Sequence, residues 1–227
     1  MVDLFVDGTR QLKSLTILGA TGSIGRQTLE VAESLDIHAA GIAAYLGSDD
    51  LLLAARRQPD SRVVVVGPTA DEREQCVAAL GTRVAFGEDA LLGMAGEPER
   101  IVVNGIVGAA GLAPTVAALD AGNRVALANK ESLVAGGPVV VAAATAGDGD
   151  IIPVDSEHSA LWQCLVGEQE ETVRRLILTA SGGPFRGRSR HELESVTVEE
   201  ALAHPTWSMG PKVTIDSAPL IGPPTVP

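Results

Sequence analysis

The sequence is poor in the features that mark several classes of protein. Its 227 residues include only two cysteines, Cys76 and Cys164, without metal-binding or redox spacing, so we expect reduced and inert thiols. No apolar stretch approaches the roughly 18 residues that a membrane-spanning helix needs. Residues 1–12 also lack the basic start and apolar core of a signal peptide. We therefore expect a cytoplasmic chain with no membrane partner.

Positive charge and aromatic side chains are scarce as well. The 17 Lys and Arg residues face 29 Asp and Glu, which gives a formal net charge of −12. Because binding to nucleic acid requires a basic face that neutralises phosphates, nucleic acid is not an expected partner. Aromatic residues make up 3% of the chain, so its core must be aliphatic. With 45% hydrophobic and 20% charged residues, the chain is typical of a globular protein.

The first half of the chain alternates short apolar runs with longer amphipathic segments. This alternation predicts an α/β fold, a doubly wound parallel sheet of the Rossmann-like type with helices on both faces. We assign this nucleotide-binding domain to residues 1–149 and a second, incomplete α/β domain to residues 150–227, with a hinge at residues 146–150. Strands are predicted at 15–18, 37–44, 62–66, 83–86, 100–103, 124–128, 151–154 and 175–180. Helices are predicted from the first glycine turn through Leu35 and at 50–57, 71–80, 89–94, 113–121, 157–165 and 197–203.

A glycine-rich turn, GATGSIG at residues 19–25, lies between the first strand and the first helix. Glycines let a backbone approach a pyrophosphate closely, and the helix N-terminus favours its negative charge. The alternative is a tight strand-to-helix turn that binds nothing. At the end of the second strand, residues 43–45 (Ala-Ala-Tyr) include neither an acid for a ribose hydroxyl nor a base for a 2′-phosphate. These residues leave NAD and NADP equally open.

Two further candidates follow later strands. Asn129, Lys130 and Glu131 stand at the carboxyl end of a strand, where ligands bind in such sheets, although Asn129 could equally be an ordinary helix N-cap. Asp155 and Glu157 are separated by one residue and can offer oxygen ligands to Mg²⁺ or Mn²⁺. The alternative is that Asp155 or Ser156 only caps the following helix.

Two loops complete the set of candidates. Residues 179–185 (TASGGPF) combine small residues with the Ser181 hydroxyl, a combination that suits binding of a phosphate oxyanion. The alternative is a plain turn that binds nothing. Residues 204–210 (HPTWSMG) could close over a ligand as a lid. The alternative is that Trp207 anchors the hydrophobic core.

Six motifs together resemble the 1-deoxy-D-xylulose 5-phosphate reductoisomerase family. The resemblance implies an oxidoreductase and isomerase of the non-mevalonate isoprenoid pathway. Such an enzyme rearranges 1-deoxy-D-xylulose 5-phosphate and reduces the product with NADPH to 2-C-methyl-D-erythritol 4-phosphate, using Mg²⁺ or Mn²⁺. The resemblance also implies that the second domain is catalytic and that a C-terminal helical domain follows it. The motifs are GATGSIG at 19–25, NGIVGAAGL at 104–112, LANKESLVAGG at 127–137, PVDSEHSAL at 153–161, TASGGPF at 179–185 and HPTWSMG at 204–210.

The resemblance also assigns roles to individual residues. It implies that Asp155 and Glu157 hold the metal, that the partner is a small sugar phosphate, and that a homodimer is to be considered. The implied NADPH-binding residues are Thr21, Gly22, Ser23, Ile24, Asn129, Glu131 and Gly210. The implied catalytic and substrate-binding residues are Lys130, Ser156, Ser181, His204 and Ser217, with Trp207 and Met209 on the closing loop.

The chain departs from the family pattern in two places. Residues 45–48 (Tyr-Leu-Gly-Ser) replace the usual glycine and the basic or amide residue, so the preference for NADPH depends on the resemblance alone. After residues 216–218 (Asp-Ser-Ala), a proline-rich stretch stands where the family has Asn, Lys and Glu. We therefore expect a truncated or frame-shifted C-terminus without the helical domain. The alternative function is an inactive fragment that retains only nucleotide binding.

Overall fold

The computed structural model describes residues 14–98, 100–177 and 183–203. The chain forms two compact units, Met1–Gln169 and Glu170–Pro227. In the second unit, the predicted helix at 197–203 is confirmed as a single short helix, Val198–Leu202, which starts with a capping box between Thr197 and Glu200. The seven-stranded sheet lies entirely in the first unit.

The sheet confirms the predicted α/β fold. Its strands pair only in parallel and follow the order β4-β3-β2-β1-β5-β6-β7, so the winding direction reverses between β1 and β5. All strand carboxyl ends therefore meet at one edge. The strands are β1 (Ser14–Leu18), β2 (Ala39–Ala44), β3 (Arg62–Val65), β4 (Val84–Phe86), β5 (Arg100–Asn104), β6 (Arg124–Leu127) and β7 (Asp150–Pro153).

Helices cover both faces of the sheet and match the predicted positions, with one addition. The sequence indicates the helix from Lys130 to Gly147 only at its start, through the alternative role of Asn129 as an N-cap, and its interior contains Gly136, Gly137 and Pro138. Gly136 does adopt a non-helical conformation, but the helix resumes after it. The first unit contains α1 (Ser23–Ser34), α2 (Asp49–Arg57), α3 (Ala70–Leu80), α4 (Glu88–Ala95), α5 (Leu112–Asp120), α6 (Lys130–Gly147) and α7 (Ser156–Leu165), and α8 (Val198–Leu202) lies in the second.

Two predictions differ from the structure. The strand expected at 175–180 is not formed by residues 175–177, which have no regular structure, and residues 178–180 lie outside the described part. The hinge expected at 146–150 does not separate the compact units, because β7 pairs with β6 from Arg124–Asp150 to Leu127–Pro153 and so continues the sheet. The division of roles between residues 1–149 and 150–227 stays a prediction.

The core is aliphatic, as the composition predicts. Side chains alternate along each strand, so one face of the sheet buries Ile17, Ile42 and Val63 and the other buries Leu18 and Val64. Within the described residues, no helix is both long enough and apolar enough to cross a bilayer.

Candidate functional site

The glycine turn after β1 lies at the reversal point of the sheet, where open α/β sheets bind ligands. Gly19 has φ +84°, and a Cβ placed on it would lie 2.9 Å from the carbonyl carbon of Gly105. A Cβ on Gly25 would lie 2.2 Å from the carbonyl oxygen of Gly19. Glycine is therefore required at both positions by backbone packing. This requirement holds whether or not a ligand binds.

The start of α1 offers the features that an anion needs. Gly22 is the N-cap and has no side chain to accept the first N–H groups of the helix. Gly22 and Ser23 are exposed, while Thr21 and Ile24 are half-buried beside them. Unpaired N–H groups and the positive end of the helix dipole favour a phosphate at this place. The turn therefore fits the diphosphate of a dinucleotide.

The end of β2 has an unusual surface for a dinucleotide site. Tyr45 is 69% exposed, and its ring packs against Gly67, where an added Cβ would lie 2.6 Å from the ring carbon Cζ. Ser48 is already used, because its hydroxyl accepts a hydrogen bond from the Leu51 N–H and caps α2. The two exposed residues that directly follow β2, Tyr45 and Leu46, are thus aromatic and apolar.

Asn129 satisfies one of its two predicted roles directly. It is the N-cap of α6, and its Oδ1 accepts hydrogen bonds from the Ser132 N–H at 2.8 Å and the Ser132 hydroxyl at 2.7 Å. Its Nδ2 donates to the carbonyl oxygens of Ile106 and, at 2.7 Å, Gly108. Glu131 lies half-buried in the first turn of the same helix. The contact of either residue with a cofactor stays a prediction.

Lys130 and Asp155 form an ion pair between two neighbouring strand ends. Lys130 follows β6 and Asp155 follows β7, and Lys130 Nζ lies 3.0 Å from Asp155 Oδ2. On the other side of the carboxylate, His158 Nδ1 lies 3.0 Å from Asp155 Oδ1. The structure therefore brings together the predicted substrate-binding lysine and one predicted metal ligand. His158 is an addition, which the spacing of three residues from Asp155 at a helix start could have indicated.

The surroundings of Asp155 keep its carboxyl group ionised. Burial raises its pKa, but hydrogen bonds from His158 and Lys130, together with their charges, outweigh that effect. The net pKa of Asp155 therefore lies below its ordinary value. A carboxylate that is charged at neutral pH is what a divalent cation requires.

The donor atoms around Asp155 suit a hard cation. Ser156 donates its hydroxyl to Glu157 Oε2 at 2.7 Å, and Glu157 lies half-buried two residues after Asp155 in the first turn of α7. Carboxylate and hydroxyl oxygens are preferred by Mg²⁺ and Mn²⁺. Among the described residues, no group of three His, Cys, Asp or Glu side chains is gathered to hold an ion. Asp155 and Glu157 suit such a cation by the type of their oxygen atoms, and their role as its ligands stays a prediction.

Several predicted site residues lie outside the described residues. These are Ser181, His204, Trp207, Met209, Gly210 and Ser217. Their roles stay predictions.

Comparison with known proteins points to one family. A family model described as 1-deoxy-D-xylulose 5-phosphate reductoisomerase matches residues 15–137, and the model of its C-terminal domain matches residues 151–222. The 1-deoxy-D-xylulose 5-phosphate reductoisomerase of Geobacillus sp. (strain WCH70) is 47% identical over 213 residues, which cover 92% of this chain and 56% of the relative. The protein of that name from Beutenbergia cavernae is 49% identical over 217 residues, covering 92% and 54%. The chain spans about half the length of the curated relatives it matches.

Solved structures give the same similarity. The reductoisomerase from Zymomonas mobilis in complex with NADPH superimposes with a TM-score of 0.80 at 40% identity, covering 92% of this chain and 54% of that one. A reductoisomerase in complex with NADPH, fosmidomycin and magnesium gives a TM-score of 0.76 at 37% identity, covering 91% and 54%.

Proposed function

The chain belongs to the 1-deoxy-D-xylulose 5-phosphate reductoisomerase family, and on that premise we propose that it binds NADPH and acts in the conversion of 1-deoxy-D-xylulose 5-phosphate to 2-C-methyl-D-erythritol 4-phosphate. The proposal includes a divalent cation, Mg²⁺ or Mn²⁺, and a sugar phosphate as the small-molecule partner. A cytoplasmic homodimer is the proposed working form.

One observation carries the proposal. The glycine turn at residues 19–25, which forms a cradle for a diphosphate, and the Lys130–Asp155 ion pair share one edge of the sheet. They follow β1, β6 and β7, and only β5 separates β1 from β6. Since neighbouring strands lie about 4.8 Å apart, the distance from β1 to β7 along the edge is about 14 Å. An extended dinucleotide covers such a span. Relatives solved with NADPH and magnesium support the same pair of ligands.

The residues of this chain would then act as follows. The N–H groups at Ser23 and Ile24 bind the cofactor diphosphate, with Thr21 and Gly22 beside them. Asp155 and Glu157 hold the cation, and Ser156 and Lys130 donate hydrogen bonds to substrate oxygens. When bound, the cation supplies Lewis-acid polarisation of adjacent substrate oxygens and NADPH supplies a hydride. Gly210, Ser181, His204 and Ser217 complete the proposed cofactor and substrate contacts.

The test uses the full chain, purified with and without Mg²⁺. Absorbance at 340 nm follows the oxidation of NADPH after addition of 1-deoxy-D-xylulose 5-phosphate. We expect oxidation that requires both substrate and cation. NADPH binding without any such oxidation would contradict the catalytic part of the proposal and favour a nucleotide-binding module. Absence of NADPH binding would contradict the whole of it.

A further inference from the structure

Two buried asparagines hold the loop between β5 and α5, residues 105–111. Asn104 is the last residue of β5 and Asn129 lies two residues beyond β6, on the neighbouring strand. Asn104 has no exposed surface and Asn129 is 2% exposed. Buried amides are costly unless they are hydrogen-bonded, so the partners of these side chains show what they stabilise.

Asn104 holds both ends of the loop. Its Oδ1 accepts a hydrogen bond from the Ile106 N–H at 3.1 Å. Its Nδ2 donates to the Gly111 carbonyl oxygen at 2.9 Å and to the Thr115 hydroxyl at 2.8 Å. Both of its N–H groups are therefore used within the protein.

Asn129 holds the middle of the same loop from the other side. Its two N–H groups bind the carbonyl oxygens of Ile106 and Gly108, while its Oδ1 caps α6 through Ser132. The side-chain amide of Asn129 thus has neither a donor nor a lone pair left for an outside ligand. Any contribution of this side chain to ligand binding must therefore pass through the groups that it holds, the loop and the start of α6.

Gly111 gives independent evidence that the loop is closed onto these amides. A Cβ placed on Gly111 would lie 2.4 Å from Asn129 Nδ2 and 3.2 Å from Asn104 Nδ2. No other residue type fits this position without moving an asparagine.

The loop that the amides hold lies directly against the glycine turn. The Gly105 N–H donates to the Leu18 carbonyl oxygen at 2.9 Å, and the missing Cβ of Gly19 leaves room for the Gly105 carbonyl group. Beyond this contact, Val107 is 67% exposed and Gly108 has φ +72°. The loop therefore presents backbone and small apolar side chains at the edge where the diphosphate cradle lies.

We propose that Asn104 and Asn129 are positioning residues of the coenzyme site: they fix residues 105–111 in the conformation that borders the bound dinucleotide. This inference rests on the proposed binding of NADPH and adds the mechanism by which two buried amides shape that site. Thr115 belongs to the same unit, since its hydroxyl donates to the Gly111 carbonyl oxygen at 2.8 Å while it accepts from Asn104.

The chain offers a matched control for this proposal. Asn123 is also fully buried, immediately before β6, at the amino edge of the sheet. Its Oδ1 accepts from the Arg100 N–H at 2.8 Å, and its Nδ2 donates to the carbonyl oxygens of Ala95 at 3.1 Å and Glu97 at 2.7 Å. Its substitution removes a comparable set of hydrogen bonds far from the coenzyme.

The experiment compares Asn129→Ser, Asn104→Ser and Asn123→Ser in the full chain. Serine introduces no charge that would repel a diphosphate, and at position 129 it still accepts from the Ser132 N–H as an N-cap. The dissociation constant for NADPH is measured by fluorescence titration, and the melting temperature of each variant without NADPH is measured in parallel. We expect at least tenfold weaker binding for Asn129→Ser and Asn104→Ser, and a change within twofold for Asn123→Ser, at similar losses of melting temperature.

Each outcome decides the matter. Equal dissociation constants for the three variants, or an effect that follows the melting temperature alone, would overturn the proposal. If a variant does not fold, Thr115→Val removes the hydroxyl that Asn104 and Gly111 share and is expected to weaken NADPH binding at least threefold; unchanged binding there would also overturn it. Failure of the unmodified chain to bind NADPH would instead refute the proposed function.

Discussion

Lys130 Nζ lies 3.0 Å from Asp155 Oδ2, although 25 residues and the whole of α6 separate the two side chains in sequence. Because β6 and β7 are neighbours in the sheet, the residues that follow them meet at its carboxyl edge. The pair therefore depends on strand order, and the proposed catalytic site forms only when β7 has joined the sheet.

Replacement of Asp155 is expected to impair cation binding. Asp155→Asn keeps the shape of the side chain but removes the negative charge, so we expect Mn²⁺ affinity to fall at least tenfold in a titration followed by electron paramagnetic resonance. Asp150→Asn is the control, since Asp150 pairs with Arg124 at 3.1 Å at the opposite end of β7. Equal losses for both variants would contradict a metal site at Asp155.

Removal of the lysine charge is expected to raise the pKa of Asp155. Burial raises the pKa of Asp155, and in Lys130→Met only the interaction with His158 still opposes that effect. Carbon-13 NMR of the labelled Asp155 carboxyl group, followed through a pH titration, measures the change. Arg124→Met, which disrupts the Asp150 pair, should leave the pKa of Asp155 unchanged. A pKa that is equal in Lys130→Met and the unmodified chain would show that the ion pair has no electrostatic effect.

The lowered pKa of Asp155 also gives stability a pH dependence. The carboxyl group binds a proton less readily in the folded state than in the unfolded chain, whose Asp pKa is about 3.9. Its stabilising contribution is therefore complete well above pH 4 and is lost as the pH falls through the lowered folded pKa. In urea unfolding between pH 2 and pH 6, Lys130→Met should reduce the loss of unfolding free energy in acid. An unchanged acid profile would contradict this.

The tight packing of the glycine turn leads to a prediction that concerns stability alone. Gly25→Ala forces a methyl group to within 2.2 Å of the Gly19 carbonyl oxygen, and such overpacking costs about 1–3 kcal/mol of unfolding free energy. Gly93→Ala is the control: it lies within α4 with no neighbouring atom within 4 Å. Alanine is favoured over glycine within a helix by about 1 kcal/mol, so this variant should be slightly more stable. Urea unfolding of both proteins checks the opposite signs.

The residues that follow β2 lead to a prediction about the relative affinities for NADPH and NADH. A 2′-phosphate is usually held by a basic side chain, and residues 43–48 provide none. We therefore expect the dissociation constants of NADPH and NADH to differ by less than tenfold. Leu46→Arg should tighten NADPH binding but not NADH binding, because only NADPH has the additional phosphate. Leu35→Arg, at the far end of α1, adds the same charge as a control. A large preference for NADPH in the unmodified chain would contradict the prediction.

Local sequence patterns predicted most of the fold but only part of the site. The strand with Ile17 and the turn at Gly19 depend on neighbouring residues, and both lie where the sequence places them. The length of α6 was missed because Gly136 and Pro138 are helix breakers in isolation, whereas packing of Leu112 against Gly136 favours the interrupted helix.

The partners within the site required the tertiary structure. Asn129 could be a cap or a ligand-binding residue from sequence alone, and its hydrogen bonds to the loop after β5 could not be inferred. The loop after β5 comes near Asn129 only because β5 and β6 are neighbours in the sheet. The contact of His158 with Asp155 is local instead, since only three residues separate them at the start of α7.

The placement of the diphosphate cradle and the ion pair on separate strands links coenzyme affinity to the finished sheet. No short stretch of the chain contains both, so a ligand that touches both binds the folded molecule and not the unfolded one. Such a ligand raises the unfolding free energy by about 2.7 kcal/mol when present at 100 times its dissociation constant. Saturation with NADPH should therefore protect amide hydrogens throughout β1, β5, β6 and β7 from exchange, including those far from the coenzyme itself.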